Sequence, residues 1–161
     1  MEKIARATLR YLFHQYLKGP SVLYSINQIT DQFKADPMKV SHYLQDQKWI
    51  RERWVHQNNT VTCRITVSGI EEINPAFITQ KLKQLIGGLM HAGGQKSLQD
   101  MIENRIGEYA IALDFVNQLD KMGLIHIVHH MGDINVELTT YGYQYFEKRG
   151  KFLLPLMSVT A

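Results

Sequence analysis

The side chains in this 161-residue chain that could do chemistry fall into three groups. Met38, Lys39, Ser41, His42 and Gln45 crowd into one short stretch, and helical geometry would set them along one side. An ammonium, a hydroxyl, an imidazole and an amide suit base edges and phosphates better than bond cleavage. Arg51, Arg53 and Arg64 follow, with the polar run Gln57-Asn58-Asn59 between them. The third group is His126, His129 and His130. Adjacent strand residues point to opposite faces and nothing joins these histidines at ligand spacing, so they read as a hairpin surface, with no metal expected. Cys63 is the only cysteine, which excludes an intramolecular disulfide and a Cys-rich zinc site. No phosphate-binding glycine loop, nucleophile motif or zinc-protease helix is present, so neither catalysis nor a cofactor is expected.

The elements around these residues can be read from their spacing. Ile4, Ala5, Leu9, Leu12, Phe13, Tyr16 and Leu17 recur at helical intervals until Gly19-Pro20 ends the pattern. Ser25-Ile26-Asn27-Gln28 has the form of a capping box, and Asp36-Pro37 caps a third helix over about 37–48. Burying Val40, Tyr43, Leu44 and Gln47 turns Met38, Ser41, His42 and Gln45 outward, with Lys39 at the margin; a merely solvated helix would share this pattern. Strands at Arg51–His56 and Val61–Ile65 then flank a polar tip, completing the order of a winged helix-turn-helix. Period two places Arg51 and Arg53 on one hairpin face, open to DNA or paired with Glu52 and water.

The same order returns. Ile65-Thr66-Val67-Ser68-Gly69 is echoed by Leu138-Thr139-Thr140-Tyr141-Gly142, with the glycines 73 positions apart. Asn74-Pro75 opens a helix with an apolar stripe through Ile78, Leu82, Leu85, Ile86, Leu89 and Met90. Helices over 98–103 and 107–122, strands at His126–His130 and Ile134–Leu138, and a last helix from Tyr141 follow. The expected fold is α+β, mostly α: two tandem winged-helix modules over residues 1–74 and 75–161, each with three helices and a β-hairpin wing. If Ala112, Phe115, Leu119 and Met122 face inward, Ala110, Leu113, Asp114, Asn117 and Asp120 face out, a pattern suited to protein rather than DNA. Ala110, Leu113 and Asn117, with Phe152, Leu153 and Leu156 of the apolar tail, form the expected interface of a homodimer.

Composition is that of an ordinary globular protein, 45% hydrophobic and 20% charged. The net charge of +3 comes entirely from residues 1–75, where 10 Lys and Arg face 7 Asp and Glu, whereas residues 76–161 balance at 8 and 8. No apolar run reaches the ~18 residues of a membrane span, and the chain opens on an amphipathic pattern rather than a secretory signal. A cytoplasmic location is expected.

Val40-Ser41-His42-Tyr43-Leu44 with Trp49-Ile50, and Ile65-Thr66-Val67-Ser68-Gly69, resemble the winged-helix superfamily. The similarity is to small prokaryotic transcription regulators of the arsenic-responsive and multiple-antibiotic-resistance types, and it applies twice along the chain. It implies double-stranded DNA as the partner, with Met38, Lys39, Ser41, His42, Gln45, Arg51, Arg53, Asn58 and Asn59 facing it in the first module. Those families usually carry glycine just before the apolar pair, as Gly123 is; Lys48 in the first copy predicts a looser helix exit there. The alternative function is a protein-interaction scaffold built from both winged helices.

Overall fold

A computed structural model describes residues 1–102 and 106–148. The fold is α+β and mostly helical, and one order of seven elements occurs twice. The first run is α1 (Glu2–Lys18), β1 (Tyr24–Ser25), α2 (Asn27–Gln32), α3 (Pro37–Asp46), β2 (Ile50–Val55), β3 (Val61–Ile65) and α4 (Val67–Ile73). The second is α5 (Pro75–His91), β4 (Gln95–Ser97), α6 (Leu98–Met101), α7 (Ile106–Lys121), β5 (Ile125–His130), β6 (Asp133–Leu138) and α8 over residues 140–148. Each run contains an antiparallel three-stranded sheet, ordered β1-β3-β2 in one and β4-β6-β5 in the other. The short strands β1 and β4 add a third strand to each expected hairpin. Two compact units result, Met1–Thr79 and Gln80–Ala161, with the division inside α5.

In the first unit Ala5, Leu9, Leu12 and Tyr16 of α1 are buried at helical spacing, with Ile26, Val40, Leu44, Ile50 and Ile70. Along β3 the alternation is complete: Val61, Cys63 and Ile65 are buried while Thr62 and Arg64 are only half-covered. Full burial of each such leucine or isoleucine contributes about 1.5–3 kcal/mol. Arg6 of α1 reaches Glu72 of α4 at 2.7 Å, and Phe13 meets Phe77 edge-on at 5.1 Å. In the second unit Leu82, Leu85, Leu89, Leu98, Phe115, Leu119, Leu124, Ile125, Val136 and Phe146 are buried.

The repeated Thr-x-x-Gly step has the same physical basis in both units. Thr66 donates its hydroxyl to the carbonyl of Lys48 at 2.8 Å and accepts from the amide of Gly69 at 3.0 Å. Thr139 does the same with the carbonyl of Gly123 at 2.6 Å and the amide of Gly142 at 2.9 Å. One side chain thus ties the exit of one helix to the N-cap of another. A Cβ on Gly69 would collide with the carbonyl oxygen of Trp49, and one on Gly142 with that of Leu124. The helix exits match too: Lys48 takes φ +61° and Gly123 φ +75°. Trp49 then donates to Leu44 at 3.0 Å, and Leu124 to Leu119 at 3.1 Å. The exit at Lys48 is therefore as tight as the other, against expectation, because its backbone adopts the left-handed conformation without glycine.

Other local expectations also changed. The Ser25 hydroxyl accepts from the amide of Asn27 at 3.2 Å, but the helix begins after Ile26, so the motif is a hydroxyl turn rather than a reciprocal box. Asp36 and Asn74 cap as expected, accepting from Met38 at 2.9 Å and Phe77 at 3.2 Å.

Candidate nucleic-acid interface

Helix α3 is held on one side by Val40 and Leu44, while Tyr43 meets Trp49 edge-on at 6.1 Å. Its free side carries Lys39, His42 and Gln45, three residues apart and all exposed, which forms one row along the helix, with the exposed Asp46 beside it at the C-terminal end. Two members of the expected set sit elsewhere. Ser41 is fully buried: its hydroxyl donates to the carbonyl of Met38 at 3.0 Å and accepts from Arg53 Nε at 2.7 Å. Met38 is half-buried, with its sulfur 3.8 Å from the Arg53 guanidinium. The buried stripe on α3 spans positions 40, 41 and 44 rather than 40, 43, 44 and 47, and the serine enters it because an arginine satisfies its hydroxyl. Gln47, expected inside, is exposed just past the helix end.

The first hairpin departs from simple alternation. Arg51 pairs with Arg64 and Trp54 with Thr62, so Glu52 and Arg53 together oppose Cys63 in a β-bulge. Glu52 takes φ +52°. The extra residue separates the two arginines that period two would place together: Arg53 turns to Ser41 of α3, and Arg51 stays beside Arg64. Glu52 lies 2.6 Å from Arg64 and 3.9 Å from Arg51. Trp54, absent from the expected set, is 62% exposed. Ile50 and Val55 are five apart while their partners Ile65 and Val61 are four apart, so strict alternation cannot pair both.

The hairpin tip is held from outside. Asn27 at the start of α2 donates its side-chain amide to the carbonyl of Asn59 at 3.0 Å and accepts from the amide of Val61 at 2.9 Å. Asn58 and Asn59 remain exposed; Asn58 accepts from the amide of Thr60 at 3.2 Å and Asn59 adopts φ +60°. Sequence reading passed over Asn27, since its role depends on a contact across 34 positions.

In the second unit Ala112, Phe115 and Leu119 of α7 are buried, as the helical pattern predicts. Met122 is 53% exposed rather than inward, because it lies beyond the last turn of α7. Asn117 is exposed, Ala110 and Leu113 are half-buried, and Asp114 accepts from Gln118 at 3.0 Å. Phe152, Leu153 and Leu156 lie outside the described residues. His126, His129 and His130 are exposed on β5, and His126 and His130 register against Glu137 and Asp133. Among the described residues, no three His, Cys, Asp or Glu side chains gather to hold a metal ion. Cys63 is buried on β3, and burial pushes its thiol up to about 12 against a smaller opposing pull from Arg53. No helix among the described residues is long and apolar enough to cross a membrane.

Lys39, His42 and Gln45 thus form an exposed row on α3, the helix that Arg53 bonds to the adjoining hairpin. Compared with protein-family models, curated proteins and solved structures, the chain matches none.

Proposed function

We propose that the chain is a cytoplasmic transcription regulator in which a winged helix formed by the first unit binds double-stranded DNA. The observation that carries this reading is the row Lys39, His42 and Gln45 on a helix whose other side is fixed by Val40, Leu44 and the Ser41–Arg53 bond. Gln45 and His42 suit base edges in a major groove, and Lys39 near the helix start suits a phosphate. Asn58 and Asn59 at the hairpin tip reach a neighbouring part of the duplex. Arg53 and Ser41 hold the helix to the hairpin, and Met38 packs beside them. The second unit, a winged helix in its own right, carries homodimer assembly through the α7 face with Ala110, Leu113 and Asn117. Its two aspartates on that face disfavour DNA.

The test is selection of duplexes from a random pool, followed by titration of single variants against salt. His42→Ala and Gln45→Ala should each cost about 1–3 kcal/mol on the selected site. Lys39→Ala should weaken all sequences alike and reduce the salt slope by about 1. If the wild-type protein binds no duplex even at low salt, the reading is wrong. A second reading, a protein-binding scaffold without DNA, would then take its place, with the exposed Trp54 as a contact for the protein partner.

A further inference from the structure

Glu52 occupies an unusual position. The bulge gives a residue other than glycine a left-handed backbone and points its carboxylate between two arginines on adjacent strands. Arg51 and Arg64 stand directly opposite each other, where two like charges repel. Their side chains are only 21% and 24% exposed, which holds their guanidinium groups close to the sheet surface. The Glu52 carboxylate lies 2.6 Å from Arg64 and 3.9 Å from Arg51, and so places an anion between them. It is also the most open of the three, at 44% exposure. A pair of guanidinium groups converging on one oxyanion is the arrangement that binds phosphate, and an exposed carboxylate bridging them is weakly held.

We propose that Arg51 and Arg64 form a phosphate-binding site on the outer face of the first hairpin, and that Glu52 occupies it as an internal mask until a backbone phosphate of the duplex displaces it. The inference rests on the reading of the first unit as DNA-binding. Its commitment to a nucleic-acid phosphate comes from Trp54, which shares the outward face because its partner Thr62 lies between the buried Val61 and Cys63. A broad exposed indole beside the two arginines can lie along a sugar, a contact that a lone inorganic ion does not offer. Arg53, which sequence alone grouped with Arg51, belongs to the other side and takes no part.

The experiment is fluorescence titration of the full chain with a selected duplex at several chloride concentrations. Glu52→Gln removes the mask and should tighten binding about 3–10-fold at low salt, with a slope steeper by about 1. Arg64→Gln should weaken binding by a similar factor, and the double variant should lose the gain of Glu52→Gln. Asp133→Asn removes one exposed carboxylate in the second unit and should change affinity less than about twofold, which separates a local site from net charge. Circular dichroism checks the fold of each variant; if Glu52→Gln unfolds through arginine repulsion, Arg64→Gln decides alone. Wild-type binding with no gain in a folded Glu52→Gln protein, or no loss in Arg64→Gln, overturns the mask and leaves the DNA reading standing. Absence of duplex binding by every variant overturns both. Competition with inorganic phosphate at constant ionic strength distinguishes the source: displacement of the duplex by low-millimolar phosphate would assign the site to a small free anion and overturn the backbone assignment.

Discussion

Lys48 and Gly123 perform one task with different chemistry, and the difference can be measured. Both close a helix in the left-handed region, at φ +61° and +75°, where a Cβ is disfavoured. Lys48→Gly should therefore stabilise the first unit by about 0.5–1 kcal/mol and Gly123→Ala should destabilise the second by about 1 kcal/mol, read from urea denaturation. Gly69 and Gly142 are less forgiving, because a methyl group there meets a backbone carbonyl that cannot rotate away. Alanine at either position should cost about 2–4 kcal/mol in the same measurement. Cys63 has a folded-state thiol raised from 9.0 to about 12. At pH 9 the native thiol should alkylate some hundreds of times more slowly than an unfolded one, on the order of 500-fold, apart from what local opening allows. The linkage has a definite sign: the stabilisation from the protonated buried thiol is complete below pH 9 and is lost as pH rises towards 12, so Cys63→Ala should flatten that part of the alkaline melting profile.

Between elements, the Ser41–Arg53 bond is the contact most open to test. Ser41→Ala leaves a partly buried guanidinium nitrogen without its 2.7 Å acceptor, and should cost about 1–2 kcal/mol of stability. If the bond positions α3 against the hairpin, the same variant should weaken a selected duplex more than a random one; equal loss on both would reduce the bond to a structural role. This contact also shows what sequence reading can reach. The helix boundaries around Asp36-Pro37 and Asn74-Pro75 were readable because a cap and a fixed φ act locally. The Thr-x-x-Gly steps were readable because both copies need the same close approach. Ser41 departs from its expected outward side because a helical wheel centred on Val40, Tyr43, Leu44 and Gln47 does not register a partner twelve positions away. The bulge depends on register between strands, which no single strand encodes. His42 and Gln45 are exposed as the helical period predicts, and Lys39, expected at the margin, is exposed with them.

At the level of the whole chain, the repeated order of seven elements pairs two similar architectures with different surfaces. The exposed α3 side chains are Lys39, His42, Gln45 and Asp46, whereas the corresponding stretch of α7 offers Asn117, Asp114 and Asp120 around the half-buried Leu113. If that face assembles a dimer, Leu113→Asp should halve the mass measured by light scattering at micromolar concentration while leaving circular dichroism unchanged. A wild-type monomer under the same conditions would remove the assembly role from the second unit.

The Asn27 clamp also bears on timing. The amide proton of Val61 bonds to a side chain of α2, so its exchange with deuterium must await release of that asparagine rather than simple fraying of the hairpin. In the native protein the Val61 amide should exchange together with the first turn of α2, and Asn27→Ala should uncouple the two and speed exchange at Val61. The hairpin tip would then arrive at any partner as an already ordered surface, its entropy of ordering spent during folding instead of at the encounter.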